Sequence, residues 1–178
     1  MRTFPPLPFS SVRTISVQLI LSGLVLCSLP AQADVYDDVE RLIRNGQLDR
    51  ASQLSSAHLQ KSPQDPQMRL LKSRILDSQS QSSAAQELLE SLTLEFPELP
   101  EPHNNLAVLY ARQGRVQDAL DSLNKALLAR PDYAVALENL GDLHLSQALQ
   151  AYQRAGRAPA APTSAVRKSE AIAPLLAR

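Results

Sequence analysis

Apolar residues between positions 100 and 130 recur every three or four residues. This spacing places them on one face of a helix. Two such stretches stand in tandem on either side of Gly114. No part of the sequence alternates polar and apolar residues over a useful length, so the pattern predicts helices and no strands. The apolar positions are Leu106, Ala107, Leu109 and Tyr110 in the first stretch, and Val116, Ala119, Leu120, Leu123, Ala126 and Leu127 in the second.

Three columns of residues repeat with a period of 34 along the chain. The glycine column, in which serine replaces one glycine, predicts a left-handed turn between the two helices of a unit, because glycine adopts that conformation without strain. The alanine column predicts the point where the two helices of a unit cross, and the proline column ends the second helix. The columns are Gly46, Ser80 and Gly114; Ala51, Ala85 and Ala119; and Pro63, Pro97 and Pro131. Asp65 and Asp132 are predicted caps of the helices that follow them.

This pattern resembles the tetratricopeptide repeat family, whose units have 34 residues. The match is strongest in 100–133, where Tyr110 keeps the family's aromatic residue and His103 replaces its tryptophan. Residues 66–99 match more loosely. Residues 34–65 match least, because Asp38, Ser55 and His58 stand where apolar or small residues are usual. A polar first unit is typical of a terminal cap whose outer helix faces water.

The resemblance implies an all-α, right-handed superhelix of about 3.5 helix hairpins over residues 34–157. The fourth unit, 134–157, departs from the pattern and predicts one long helix over Ala134–Gly156. Its apolar stripe is continuous, with members at Leu137, Leu140, His144, Ala148, Ala151 and Ala155. The alternative is two helices with a kink near Ser146 and Gln147. Residues 158–178 are predicted to be an Ala/Pro linker followed by a short C-terminal helix.

Residues 1–33 have the features of an export signal. Arg2 and Arg13 make the start positive, an apolar segment of about 12 residues follows, and Ala-Gln-Ala at 31–33 fits a signal peptidase site. We expect cleavage after Ala33 and a periplasmic or secreted protein. The apolar segment is short for a membrane span, so an uncleaved anchor is an alternative. A lipoprotein site at Cys27 is disfavoured because Leu26, and not a small residue, precedes it.

Composition narrows the chemistry that the chain can perform. It has 18 basic and 18 acidic residues, which gives no electrostatic signature for nucleic acid. The only cysteine lies in the signal segment. His58, His103 and His144 belong to separate units and favour packing roles over metal binding. No nucleophile elbow or phosphate-binding loop occurs. We therefore predict no enzymatic activity, no cofactor, no metal and no small-molecule substrate.

The family resemblance implies a concave groove, lined by the first helix of each unit, that binds a peptide or helix of a partner protein. The lysines with which some relatives hold a terminal carboxylate are replaced by Leu70 and Leu71. Asparagines at 105 and 139 match positions that bind a ligand backbone in the family, and the arginines at 74 and 112 suit a carboxylate. The predicted groove residues are Leu70, Arg74, Glu101, Asn104, Asn105, Val108, Arg112, Glu138, Asn139 and Asp142.

The sequence thus predicts an interaction scaffold of the bacterial cell envelope. Residues 98–144 also resemble a group of exported bacterial repeat proteins, some of which continue into a domain associated with cell-wall enzymes. Two alternatives follow. The chain is a structural protein that associates with itself, as a homo-oligomer, through its last helix, or it is an accessory subunit of a cell-wall enzyme such as a transpeptidase.

Overall fold

Eight α-helices and a final 3-10 turn follow one another in the computed structural model, which describes residues 33–176. No strand occurs in this range, and the all-α repeat architecture is confirmed. The helices are α1 (Ala33–Arg44), α2 (Leu48–Lys61), α3 (Pro66–Ser78), α4 (Ser82–Glu95), α5 (Pro100–Arg112), α6 (Val116–Ala129), α7 (Ala134–Gly156) and α8 (Thr163–Ile172), and the 3-10 turn is Ala173–Leu175.

The first six helices form three hairpins, and each hairpin turns at a residue of the predicted column. Gly46, Ser80 and Gly114 all have positive φ, at 69°, 62° and 73°. Ser80 carries a side chain in a backbone region that costs an L-residue about 1–2 kcal/mol. The same turn geometry therefore recurs even where the glycine is lost, because the contacts of the hairpin impose it.

The last unit has one helix of 23 residues in place of a hairpin, which confirms the continuous stripe and rules out the kinked pair. Its far end is covered by α8, which folds back against it. A Cβ added at Gly156 would stand 3.4 Å from the Val166 side chain. The ammonium of Lys168 lies 5.0 Å from the centre of the Tyr152 ring.

Two clusters of buried apolar side chains hold the stack together. The first joins α1, α2 and α3 around Val39, Ala51, Met68, Leu71 and Ile75. The second joins α4 to α7 around Leu89, Leu92, Leu106, Leu109, Leu123 and several alanines. The alanine column is fully buried in both clusters, which agrees with its predicted position where helices cross.

Two of the three polar residues of the first unit contradict the prediction of a water-facing cap, whereas Asp38 agrees with it, since 46% of its side chain is exposed. Ser55 is completely buried, and its hydroxyl donates to the Ser52 carbonyl at 3.0 Å. Only 11% of the His58 side chain is exposed, and its Nε2 lies 2.6 Å from Asp65 Oδ2. These side chains tolerate burial because each has a hydrogen-bond partner inside the stack.

Helix caps follow the sequence in one case and depart from it in another. Asp65 caps α3 as predicted, with Oδ1 accepting from the Met68 amide at 3.1 Å. The predicted cap at Asp132 is wrong. Tyr133 occupies the cap position of α7 and makes no side-chain bond there. The centre of its ring lies 5.2 Å from the Arg130 guanidinium, which is a cation–π contact and not a cap.

The predicted export signal, cleavage point and anchor alternative lie outside the described residues, apart from the backbone of Ala33. Of the helices that the structure describes, none has both the length and the hydropathy that a membrane crossing requires.

Candidate partner-binding groove

The first helices of the last three units, α3, α5 and α7, carry two pockets that adjoin each other. The first pocket, of about 170 Å³, lies between α3 and α5; the second, of about 330 Å³, lies between α5 and α7. Val108 and Arg112 line both of them, so the pockets form one elongated depression. We call this depression the groove. Residues of α5 line both pockets, because this helix lies between α3 and α7.

Six of the ten predicted residues line the groove. The α3–α5 pocket contains Arg74 and Asn105, and the α5–α7 pocket contains Asn139 and Asp142. Val108 and Arg112 belong to both. Glu138 is exposed on α7, four residues before Asp142 and on the same helix face.

The remaining three predicted residues do not line the groove. Asn104 is only 4% exposed and lies inside the stack. Leu70 packs against the second apolar cluster, where it closes the contact between neighbouring units. Glu101 is half-buried at the start of α5 and accepts a salt bridge from Arg130, with Oε1 and Nη1 3.1 Å apart. The open face therefore excludes these three side chains.

A chain of three amides crosses the α5–α7 contact. Asn139 Nδ2 donates to Asn104 Oδ1 at 2.8 Å, and Asn104 Nδ2 lies 3.4 Å from Asn105 Oδ1. Asn105 Nδ2 and Asn139 Oδ1 have no partner among the residues that the structure describes. One donor and one acceptor are thus left at the two ends of the chain, and both ends belong to groove-lining residues.

Two salt bridges connect first helices of successive units along the same side. Arg74 Nη1 lies 3.7 Å from Glu40 Oε1, and Arg112 Nη1 lies 2.6 Å from Asp77 Oδ2. The arginines that the sequence offered to a ligand carboxylate therefore already have carboxylate partners within the chain. Both salt bridges could have been predicted from the sequence, because each pair places opposite charges about one repeat apart on the same helix face.

The histidines have three different environments. His103 is buried, and burial lowers its pKa, so the neutral ring is favoured where Nε2 lies 3.3 Å from the Pro97 carbonyl. His144 is exposed and bonds to Gln147 at 3.3 Å, so the packing role that the sequence favoured for it is wrong. Within residues 33–176, no three histidine or carboxylate side chains come together as a metal site.

Comparisons with known proteins agree on one architecture. A family model described as "Tetratricopeptide repeat" matches residues 70–134 and 104–174. No curated protein sequence matches this chain.

Three solved structures are similar to this chain in fold. A chain of Naa15/Naa10 bound to HypK-THB is 17% identical, with a TM-score of 0.58 over 80% of this chain and 22% of that one. The MamA protein is 19% identical, with a TM-score of 0.53 over 80% of this chain and 73% of MamA. A tetratricopeptide repeat protein from Parabacteroides merdae ATCC 43184 is 19% identical, with a TM-score of 0.55 over 81% and 64%. At these identities the likeness concerns the fold alone. This chain spans about a fifth of the Naa15/Naa10 chain that it matches.

Proposed function

Because the chain belongs to the tetratricopeptide repeat family, we propose that it is a non-enzymatic scaffold that holds a segment of a partner protein in its groove. The observation that carries this proposal is the continuity of the two pockets through Val108 and Arg112. An elongated depression on rigid helices suits an extended peptide or a single helix, since the surface exists before the partner arrives and little ordering is needed.

The amide chain supports an extended backbone as the bound element. A peptide unit offers one carbonyl acceptor and one amide donor. Asn105 Nδ2 is free to donate to the carbonyl and Asn139 Oδ1 to accept from the amide. Because Asn104 fixes both of their orientations, the two groups present a defined polarity to the ligand. Each such bond contributes about 0.5–1.5 kcal/mol to binding.

In-cell photocrosslinking tests the groove. A photoreactive residue in place of Arg112 projects from the ridge between the pockets, and the exposed salt bridge that is lost contributes about 0–1 kcal/mol. We expect one partner polypeptide to be captured at 112, identified by mass spectrometry of the adduct. The yield should fall about two- to tenfold with Asn105→Ala, since one hydrogen bond is removed. Asn124→Ala removes an exposed amide from α6 and serves as the matched control.

A photoreactive residue at Asp121, also on α6, supplies the positional control. Equal capture of the same partner from 112 and 121, or a yield at 112 that ignores Asn105→Ala, would contradict groove binding. Asn105→Ala also leaves Nδ2 of the buried Asn104 without its acceptor, so a small loss of stability is expected, and circular dichroism should show the helical content of the parent chain.

We further propose that the scaffold acts in the bacterial cell envelope after export. The support is the pattern of residues 1–33, with two arginines, an apolar segment and Ala-Gln-Ala before Asp34. Cell fractionation should place the protein outside the cytosol, and Edman sequencing of it should begin at Asp34. A cytosolic protein that retains Met1 would contradict export without affecting the groove. Self-association and service to a cell-wall enzyme on another chain stay predictions.

A further inference from the structure

The two halves of the groove differ in chemistry. The α3–α5 pocket is flanked by the charged pairs of Arg74 and Arg112. The α5–α7 pocket is about twice as large and is walled mainly by Val108, Ala111, Leu143 and neighbouring apolar side chains. Its volume of about 330 Å³ is near the lower end of ligand sites, which run from about 300 to 1,000 Å³. Such a pocket suits one apolar side chain as an anchor.

The edge of this pocket on α7 carries uncompensated negative charge. Asp142 lines the pocket, and Glu138 precedes it by one helical turn. Within the described part of the chain, neither carboxylate has a cationic side chain within salt-bridge distance. Like charges at this spacing repel each other on a helix. A cation supplied by a ligand would relieve that repulsion, which no described side chain of the protein does.

The one arginine at this pocket does not offset the acidic edge. Arg112 points its Nη1 at Asp77 Oδ2, 2.6 Å away, so the positive charge is matched by α3. An acidic ligand would therefore have to separate an existing pair and would also face Asp142. A basic ligand meets an attractive field at no such cost, because charge complementarity steers the correct partner and disfavours the opposite one.

We propose that the α5–α7 pocket selects a peptide in which an apolar aliphatic side chain stands next to a lysine or arginine. The aliphatic side chain fills the pocket formed by Val108, Ala111 and Leu143. The neighbouring cation lies against Asp142 and Glu138. This inference rests on the proposed function, since it specifies which partner segment the same groove accepts.

Bead-bound libraries of short random peptides test the inference with the purified full chain. The libraries differ only in a fixed central pair, which is Leu-Lys, Leu-Glu or Ser-Lys. Retention on Leu-Lys should exceed that on Leu-Glu by about two- to fivefold, as expected for a partly exposed ion pair at low salt. It should exceed that on Ser-Lys by about tenfold, because one aliphatic side chain is buried.

Variants test which residues cause the preference for lysine over glutamate and the preference for leucine over serine. Asp142→Lys should reverse the preference between Leu-Lys and Leu-Glu, whereas Asp121→Lys, which makes the same charge change on α6, should leave it unchanged. Ala111→Phe fills the pocket and should remove the preference for leucine over serine. Circular dichroism of each variant should show the helical content of the parent chain.

Two outcomes overturn different claims. Equal retention on Leu-Lys and Leu-Glu, or a preference that Asp142→Lys does not change, overturns the basic–aliphatic specificity. The groove itself stands if Ala111→Phe still removes the preference for leucine over serine. If every library retains the parent chain no better than it retains the Ala111→Phe variant, both this specificity and peptide binding in the groove are overturned.

Discussion

Replacing Asp65 by alanine is expected to lower the free energy of unfolding by about 2–4 kcal/mol. Asp65 connects three helices through one carboxylate. Oδ1 caps α3 at the Met68 amide, and Oδ2 accepts from the Tyr36 hydroxyl of α1 at 2.5 Å. Nε2 of His58, on α2, lies 2.6 Å from the same oxygen. Its loss removes a helix cap and leaves two partly buried polar groups without a partner, and equilibrium denaturation by urea measures the difference.

Asparagine at the same position is the matched control. Asp65→Asn keeps an oxygen that can cap α3, so its destabilisation should be smaller than that of alanine. If alanine and asparagine behave alike and both resemble the parent chain, the carboxylate does not hold the three helices together. The exposed Asp49 of α2 provides a second comparison, because its carboxylate accepts a single side-chain hydrogen bond within residues 33–176, from Gln79 Nε2 at 3.4 Å.

The contacts of Asp65 should make the free energy of unfolding depend on pH in both the acidic and the alkaline range. Burial opposes the ionised form of Asp65, but hydrogen bonds from Tyr36, the Met68 amide and His58 outweigh it and hold its pKa below the usual value. Its contribution is therefore lost as the pH falls through that lowered pKa. The bond to Asp65, with burial, raises the pKa of Tyr36 to about 12. That contribution is present below pH 10 and disappears between about 10 and 12, and Tyr36→Phe should remove this alkaline component.

The first two units look degenerate in sequence because polar contacts replace apolar ones in their interior. Lys72 stands one period before Leu106, at a position that is usually apolar, and its Nζ donates to Ser52 and Ser56 of α2 at 2.8 and 3.1 Å. Burial lowers its pKa. In the same unit, Arg69 makes a two-pronged bond to Glu95. A pattern of polar and apolar positions cannot distinguish such a buried polar pair from a solvated helix face. Each polar residue of the pair is understood only when its partner in space is known.

The repeat period was sufficient to predict the architecture. Residues one period apart occupy equivalent positions, so the turn at Ser80 could be placed from Gly46 and Gly114 although serine does not favour that conformation. The long α7 followed from one uninterrupted stripe. These features depend on spacing along the chain alone, and spacing is what a sequence displays directly.

The binding face was predicted less completely, because neighbouring units cover part of each first helix. Successive residues of a helix point about 100° apart, so Asn104 and Asn105 cannot both face the same groove. The structure buries the first and leaves the second at the surface. Leu70 lies on the predicted face but is covered by the next unit, as its apolar side chain suggests. Angular position identifies a face; only the stacking determines how much of it stays open.

Enlarging the alanine at the third crossing point should destabilise the chain by overpacking. Ala119 has no exposed surface, and it belongs to the cluster that joins α4 to α7. Ala119→Leu adds three carbon atoms where helices meet at close-packed density, so α6 must shift or a rotamer must strain. Such changes cost about 1–3 kcal/mol, which thermal or urea unfolding resolves easily.

The same substitution at the end of the helix separates volume from composition. Ala129 closes α6 and is exposed, so Ala129→Leu adds the same atoms to the same helix without crowding the interior. Its stability should stay within about 0.5 kcal/mol of the parent chain, as is usual for surface changes. Equal unfolding midpoints for Ala119→Leu and Ala129→Leu would mean that the alanine column does not mark a tight crossing. The repeat would then owe its regular spacing to the turns at Gly46, Ser80 and Gly114, and not to the approach of its helices.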